Sequence, residues 1–211
     1  MNIREILALS PVIPILTVRD LKHAVPLARA MTAAGLRVLE ITLQTPVAMG
    51  CIEAIRKAVP DALIGAGALT KPADFAAADR VGAQFGVAPG LTPLLAAAAR
   101  GARFPLLPGV MTPTEVIAAR LAGFNVLNLF PAHQSGGLGM LRALGATFPD
   151  VLFRPTGGIT PASAPDYLAL SNVVSVGGSW MAPAQMIAAS DWQGIAALAR
   201  DAATLKKSII T

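Results

Sequence analysis

Two short apolar segments each carry one polar side chain that could take part in chemistry. Asn128 lies in the run from Val126 to Phe130, which a proline follows, and Glu40 lies in the run from Val38 to Thr42. A polar group inside a buried strand needs partners, because burying it unpaired costs about 1–3 kcal/mol. Asn128 is therefore either a structural bridge or part of the wall of a polar cavity, and the segment alone leaves both interpretations open.

Glu40 offers the more specific chemistry. A buried carboxylate favours its protonated form unless a cation lies close, and such a group can shuttle protons near neutral pH. The alternative is a structural ion pair between Glu40 and a buried arginine. Because glutamate is so seldom buried at all, we expect the functional role.

Two glycine pairs indicate a phosphate site. They lie in Pro155-Thr-Gly-Gly-Ile159 and in Val176-Gly-Gly-Ser-Trp180, each at the end of an apolar run. Glycines at such points expose backbone N–H groups, which bind phosphate well. One Gly-Gly pair can be a simple tight turn, but two pairs after consecutive strands predict a phosphate cradle. No spacing of Cys, His and Asp predicts a metal site.

Eight apolar runs alternate with alanine-rich helical stretches, at a spacing of about 19–26 residues that suits a strand, a crossover helix and short turns. The clearest helix start is Thr112-Pro-Thr-Glu115, which predicts a capping box. The glycines that follow helical runs, where a left-handed cap is needed, are Gly35, Gly82, Gly101 and Gly123. The strands that we predict are Pro11–Val18, Val38–Thr42, Leu63–Gly67, Phe85–Val87, Phe104–Leu107, Val126–Phe130, Leu152–Pro155 and Val173–Gly177.

This alternation predicts an α/β protein with a single closed (β/α)₈ barrel, a TIM barrel, as one domain over residues 1–211. An open doubly wound sheet is the alternative, although no G-x-G-x-x-G follows the first strand. In a barrel, functional residues lie at the carboxyl ends of the strands. Glu40, Asn128 and both glycine loops fall at or near such ends.

The composition disfavours two classes of partner. The net charge of +5 comes from 17 basic and 12 acidic residues that are scattered apart from Lys206-Lys207, and aromatic residues make up only 5%. A nucleic-acid surface needs a basic stripe with stacking aromatics, so a small anionic ligand is the better match. No apolar run reaches the roughly 20 residues that cross a membrane. The single Cys51 and the absence of a signal sequence lead us to expect a cytoplasmic protein.

The whole chain resembles the 2-keto-3-deoxy-6-phosphogluconate (KDPG) and 4-hydroxy-2-oxoglutarate (KHG) aldolases, which are pyruvate-forming class I aldolases on a trimeric barrel. The matching segments occur in the right order over nearly the full length, and together they are highly specific. They are Pro11-Val-Ile-Pro-Ile, Gly35-Leu-Arg-Val-Leu-Glu-Ile-Thr-Leu, Ile64-Gly-Ala-Gly, Ala88-Pro-Gly-Leu, Pro108-Gly-Val, Leu129-Phe-Pro-Ala, Arg154-Pro-Thr-Gly-Gly-Ile and Gly177-Gly-Ser-Trp.

The resemblance implies a carbon–carbon lyase of Entner–Doudoroff carbohydrate metabolism. Such an enzyme cleaves KDPG, or a related 2-keto acid, to pyruvate and glyceraldehyde 3-phosphate, as a homotrimer without a cofactor. The implied catalytic positions are Glu40, as general acid and base, with Asn128 and Thr156. The implied substrate-binding positions are Gln44, Ala68, Pro89, Phe130, Gly157, Gly158, Gly178 and Ser179.

Four positions depart from the family pattern. Asn128 stands where the family has its Schiff-base lysine, Gln44 where it has an arginine, Ala68 where it has a threonine and His133 where it has a glutamate. An amide nitrogen is not nucleophilic, so we predict that the standard Schiff-base mechanism is absent.

Three hypotheses remain open from the sequence. The first is a lyase with a substitute amine, for which Lys71 is the candidate, because Lys22, Lys57, Lys206 and Lys207 are expected to be helical and solvated. The second is a non-catalytic barrel that binds a phosphorylated ligand. The third is an enzyme that enolises a keto acid without a covalent intermediate, using Glu40 and His133.

Overall fold

Parallel β-strands alternate with α-helices along the chain. The computed structural model describes residues 1–206. The strands are β1 (Val12–Leu16), β2 (Val38–Thr42), β3 (Leu63–Gly67), β4 (Phe85–Val87), β5 (Leu106–Leu107), β6 (Gly109–Val110), β7 (Val126–Leu129), β8 (Leu152–Pro155) and β9 (Val176–Gly178). The helices are α1 (Ile3–Ala8), α2 (Ala24–Ala33), α3 (Ala48–Ala58), α4 (Pro72–Arg80), α5 (Pro93–Gly101), α6 (Pro113–Leu121), α7 (Gly137–Thr147), α8 (Ala164–Leu168), α9 (Ala184–Ala188) and α10 (Trp192–Ala203).

The prediction of a single closed (β/α)₈ TIM barrel is wrong. The strands form a curled six-stranded parallel sheet in the order β5-β4-β3-β2-β1-β9 and a separate three-stranded sheet in the order β6-β7-β8. Between β8 and the region of β9 there are only isolated bridges, Phe153 to Val173 and Thr156 to Gly177. The hydrogen-bonded ladder is therefore interrupted in two places.

Pro108 accounts for the first interruption. The predicted fifth strand ends at Leu107, where β5 pairs with β4, and the chain then pairs with β7 through Gly109 and Val110. Pro108 between them has no N–H to donate to a ladder, although its carbonyl accepts a 2.8 Å hydrogen bond from the Asn128 N–H. One extended segment thus changes partners at a proline and is divided between two sheets.

Pro155 accounts for the second interruption. Along β8, the Phe153 N–H points toward the β9 side and donates to the Asn172 carbonyl at 2.7 Å, whereas the Thr156 N–H points toward β7 and donates to the Leu129 carbonyl at 2.9 Å. Backbone donors alternate along a strand, so the next donor toward β9 belongs to position 155. Proline has none, and no continuous ladder joins β8 to β9.

Strand alternation divides the buried side chains into two groups. In β2, Leu39 and Ile41 belong to the large core between sheet and helices, whereas Val38 belongs to a small inner cluster with Ile6 and Leu7 of α1. Since side chains of one strand alternate between faces, Glu40 lies on the same inner face as Val38. The inner cluster fills the amino-terminal end of the strands and leaves polar residues toward the carboxyl end.

Several local predictions are confirmed. Thr112 and Glu115 form the expected capping box at the start of α6. Gly35, Gly82 and Gly123 have left-handed backbone conformations just after helices, whereas Gly101 is the last residue of α5.

The predictions for the lysines are mixed. Lys22 and Lys57 are exposed on helical segments, whereas Lys206 is exposed but lies beyond the end of α10, and Lys207 lies outside the described residues. Within residues 1–206, no helix is both long and apolar enough to cross a membrane.

Candidate active site

A cavity of about 260 Å³ opens at the carboxyl ends of the strands. It brings together all eleven catalytic and substrate-binding positions that the family resemblance implies, although they come from distant parts of the chain. Ile15, Thr17, Thr42, Val87, Ile159 and Gly177 complete the lining. The candidates that line it are Glu40, Gln44, Ala68, Pro89, Asn128, Phe130, Thr156, Gly157, Gly158, Gly178 and Ser179.

The alternation and register of the strands place the side chains of Asn128, Arg154 and Glu40 on the inner face of the sheets, at this cavity. In β7, Leu127 and Leu129 pack into the core beneath the helices, so Asn128 points to the inner face. Asn128 is the register partner of Arg154 in the neighbouring β8. Glu40 reaches the same space from β2.

The floor of the cavity contains a buried ion pair. The Nη2 atom of Arg154 lies 2.6 Å from Oε2 of Glu40, with side chains that are 0% and 5% exposed. The structure therefore shows the arrangement that the sequence analysis held as its alternative, a buried glutamate paired with an arginine. Arg154 was not predicted, and the available signal was a charged residue inside the apolar run Leu152-Phe-Arg-Pro155 at the inward-facing position.

Two glycines make room for this ion pair. A Cβ added at Gly67 would lie 2.9 Å from the carboxylate carbon of Glu40, and one at Gly177 would lie 2.5 Å from Nη2 of Arg154. Both distances are below 3.0 Å, which a real Cβ does not tolerate next to a buried side chain. The glycines of β3 and β9 thus let the two charged groups meet across the inside of the strands.

Several buried polar atoms around the ion pair lack hydrogen-bond partners within the described part of the chain. They are Oδ1 of Asn128, Oγ1 of Thr156, and Nε and Nη1 of Arg154. The contact of Arg154 with Glu40 also lacks the angles of a hydrogen bond. Unsatisfied buried polar groups are costly, so a site of this kind is suited to a small polar ligand that supplies the missing partners.

The two glycine loops form one rim of the cavity. Gly157 and Gly158 have φ values of +97° and +75°, which glycine adopts readily and other residues seldom do. The N–H groups of Gly157, Gly158 and Ser179 make no hydrogen bond to other described residues. Free backbone N–H groups that surround one space are typical of a phosphate site.

Two residues that the sequence analysis considered lie outside the cavity lining. His133 is exposed, and the Lys71 side chain is 71% exposed at the start of α4, where its Nζ lies 4.0 Å from Oδ1 of Asp74. The structure therefore does not assemble Glu40 with His133, and it does not bring Lys71 into the site. Among the described residues that line the cavity there is no lysine.

No group of three or more His, Cys, Asp or Glu side chains in residues 1–206 could hold a metal ion. A larger cavity of about 590 Å³ near Arg4, Asn125 and Arg142 lies at the amino ends of β7 and β8. Parallel α/β folds place their chemistry at the opposite ends of the strands, where the predicted residues meet.

Comparison with known proteins identifies the family of the chain. The family model described as KDPG and KHG aldolase matches residues 3–198. The chain belongs to this aldolase family. The KHG/KDPG aldolase of Escherichia coli K12 is 46% identical over 199 residues, which covers 94% of this chain and 93% of the relative.

Solved structures of KDPG aldolases have the same fold as this chain. A KDPG aldolase from Legionella pneumophila, with pyruvate captured as a covalent carbinolamine intermediate, superposes with a TM-score of 0.95 at 40% identity, covering 97% of this chain and 99% of that one. A KDPG aldolase from Zymomonas mobilis ZM4 with 3-phosphoglycerate superposes with a TM-score of 0.93 at 40% identity, covering 98% and 97%.

Proposed function

We propose that the cavity binds a phosphorylated 2-keto-3-deoxy acid such as KDPG and cleaves it in the retro-aldol direction to pyruvate and glyceraldehyde 3-phosphate, without a Schiff base. The observation that carries the proposal is that one cavity joins Glu40, Asn128 and Thr156 to the free N–H groups of the glycine loops. A ligand with a keto-acid end and a phosphate end matches these two halves.

The solved relatives support this ligand class. The Legionella protein holds pyruvate and the Zymomonas protein holds 3-phosphoglycerate, a phosphorylated three-carbon acid. These are chemical counterparts of the two halves of KDPG. In this chain, the backbone N–H groups of Gly157, Gly158 and Ser179 are suited to the phosphate. The side chains of Asn128 and Thr156 are suited to the keto acid.

The bond cleavage can be written without an amine. The Glu40 carboxylate takes the proton of the C4 hydroxyl, the C3–C4 bond breaks, and its electron pair moves through C3 and C2 onto the keto oxygen. The aldehyde leaves as glyceraldehyde 3-phosphate and an enolate remains. Protonated Glu40 then returns the proton to C3, and pyruvate forms with the carboxylate regenerated.

The enolate needs donors aimed at its oxygen. Asn128 and Thr156 can provide an amide N–H and a hydroxyl from neighbouring strand ends, and such fixed donors stabilise developing negative charge in a water-poor site. A neutral amide withdraws electrons less strongly than a protonated imine. We therefore expect turnover well below that of relatives that form the covalent intermediate.

Ligand binding without turnover is the second candidate function. Two observations favour it. The part of the chain that the structure describes contributes no lysine to the cavity lining, and Gln44 and Ala68 replace charged or hydroxyl-bearing family residues. In that case the glycine loops and the polar floor would serve recognition alone.

We also propose a homotrimer in a reducing compartment such as the cytoplasm. Exposed apolar side chains suitable for subunit contact are Leu94, Met111, Ile117 and Leu121. The single Cys51 is free and buried, which suits a reducing environment. Light scattering in solution should give three times the mass of the chain.

Retro-aldol turnover of KDPG, coupled to enzymatic detection of pyruvate, tests the catalytic proposal. Wild type should release pyruvate faster than Glu40→Gln, which keeps the size of the side chain but cannot take a proton. Calorimetric binding of KDPG to both proteins separates the two candidates. Tight binding with equal, background-level pyruvate release would select binding without turnover.

A further inference from the structure

The charge at the cavity floor depends on two residues. Of the cavity-lining residues within 1–206, only Glu40 has an ionisable side chain. Arg154 lies fully buried behind it, with its guanidinium 2.6 Å from the carboxylate. Their formal charges cancel. In its carboxylate form, Glu40 without Arg154 would present an uncompensated negative charge to any ligand in the cavity.

The charge of the cavity floor affects binding because the proposed keto-acid ligands are anions. Two like charges at close range repel strongly where solvent screening is weak, and the cavity floor is buried. Glycines at positions 67 and 177 leave space for both head groups. The local sequence thus provides room for a cation at this one place beneath the site.

We propose that Arg154 is a specificity-determining residue that allows a 2-keto acid anion to bind beside Glu40. It acts through Glu40, by cancelling the charge of the carboxylate and holding it in one orientation at the cavity floor. The inference rests on the proposed function for the class of ligand, and it adds the residue that makes an anion acceptable.

The test compares the binding of a charged and a neutral keto compound to variants of Arg154. Arg154→Met removes the guanidinium but keeps a long side chain, and Arg154→Lys keeps the charge. Calorimetric titrations use pyruvate and its neutral ester, methyl pyruvate. Arg154→Met should weaken pyruvate binding by at least about tenfold and methyl pyruvate binding by no more than about twofold, whereas Arg154→Lys should stay close to wild type for both.

Matched variants separate charge from structural damage. Arg29→Met makes the same substitution on an exposed face of α2 and should leave both affinities unchanged. A merely structural role of Arg154 would lower the affinities for pyruvate and for methyl pyruvate together. An unchanged ratio of the two affinities in Arg154→Met would overturn the inference.

Further variants keep the test valid if Arg154→Met does not fold. Glu40→Gln leaves the guanidinium uncompensated and should tighten pyruvate binding, whereas the neutral double variant Glu40→Gln/Arg154→Met should return toward wild type. The reverse order would contradict the inference. If wild type binds neither keto compound, the proposed ligand class fails. In that case the Glu40→Gln variant decides whether the charge of Glu40 excludes the anion. Pyruvate binding by Glu40→Gln would support the role of Arg154, and no binding would contradict it.

Discussion

The Arg154 guanidinium and the Glu40 carboxylate meet across the inside of the strands, with 2.6 Å between Nη2 and Oε2 and almost no exposure of either side chain. Both groups come from strands, β8 and β2, that belong to different sheets. The ion pair therefore connects the two sheets directly beneath the candidate active site.

Loss of one partner should destabilise the protein more than loss of both. A buried charge without its partner costs about 3–5 kcal/mol, whereas replacement of a whole buried pair is often close to neutral. We expect Arg154→Met to lower the free energy of unfolding by this amount and the double variant Glu40→Gln/Arg154→Met to recover most of it. Urea denaturation of the two single variants and the double variant measures the coupling, and strictly additive losses would contradict an energetic pair.

Asn128→Lys should restore covalent chemistry. Burial lowers the pKa of the introduced lysine, which makes its free amine available. Borohydride with pyruvate should add the mass of one reduced pyruvate to this variant and not to Asn128→Met. Retro-aldol activity should rise with it, and an unmodified, inactive variant would show that the lysine does not reach the keto carbon.

Gln44→Arg should raise the activity of Asn128→Lys further, since a guanidinium can bind the substrate carboxylate through two hydrogen bonds. Each hydrogen bond to a charged group contributes about 1.5–3 kcal/mol. Ala68→Thr, which family resemblance also suggests, is less favourable because position 68 has a φ of +61°, where β-branched residues are strained. The measurement is kcat/KM for the single, double and triple variants, and a triple variant that exceeds the double would contradict the strain argument.

Inorganic phosphate should bind to the glycine loops. Gly158→Ala should abolish this binding, because its backbone has a φ of +75° and an added Cβ would lie 2.5 Å from the Cβ of His133. Gly123→Ala is the matched control, since it has a φ of +94° with no atom near the added Cβ and lies far away after α6. Equal phosphate affinity in both variants, measured by calorimetry at low salt, would place the anion elsewhere.

The capping box of α6 gives a prediction about pH. Burial opposes ionisation of Glu115, but hydrogen bonds from the backbone of Met111 and Thr112 and from the Thr112 hydroxyl outweigh it and lower the Glu115 pKa below the ordinary 4.5. A carboxylate with a lowered folded pKa stabilises the protein above its unfolded pKa and loses this effect as the pH falls through the folded value.

Glu115→Gln should therefore be less stable than wild type by about 0.5–1 kcal/mol at pH 7, with a difference that shrinks below about pH 4.5. Asp61→Asn removes a charge from an exposed position between α3 and β3 and serves as control. Thermal unfolding from pH 7 to pH 3 measures both. A stability difference that stays constant down to pH 3 would contradict the lowered pKa.

The residues that line the cavity were predicted from the sequence more accurately than the arrangement of the strands into sheets. Glu40 and Asn128 stood out as polar residues inside apolar strands near the carboxyl ends, and glycine pairs located the loops, because these are local signals. Closure of the sheet depends on which hydrogen bonds form between strands. Pro108 and Pro155 were signals for interruptions of the hydrogen-bonded ladder, since proline has no N–H to donate to a neighbouring strand.

The pairing of Arg154 with Glu40 could not be predicted from the sequence. Its partner Glu40 lies more than a hundred residues earlier, and only the folded arrangement of β2 and β8 brings the two together. The expectation of a reactive, unpaired Glu40 was formed without knowledge of this cation. The same limit applies to Lys71, whose place near a strand end did not bring it into the cavity.

Pyruvate release from KDPG, measured with and without prior treatment of the protein with borohydride and pyruvate, tests the central claim most directly. We expect wild type to release pyruvate and glyceraldehyde 3-phosphate in equal amounts, above the level of Glu40→Gln. Pretreatment with borohydride and pyruvate should leave both the rate and the protein mass unchanged, because the described cavity contains no lysine to form an imine. No release above the Glu40→Gln level, or inactivation accompanied by the added mass of one reduced pyruvate, would contradict the account.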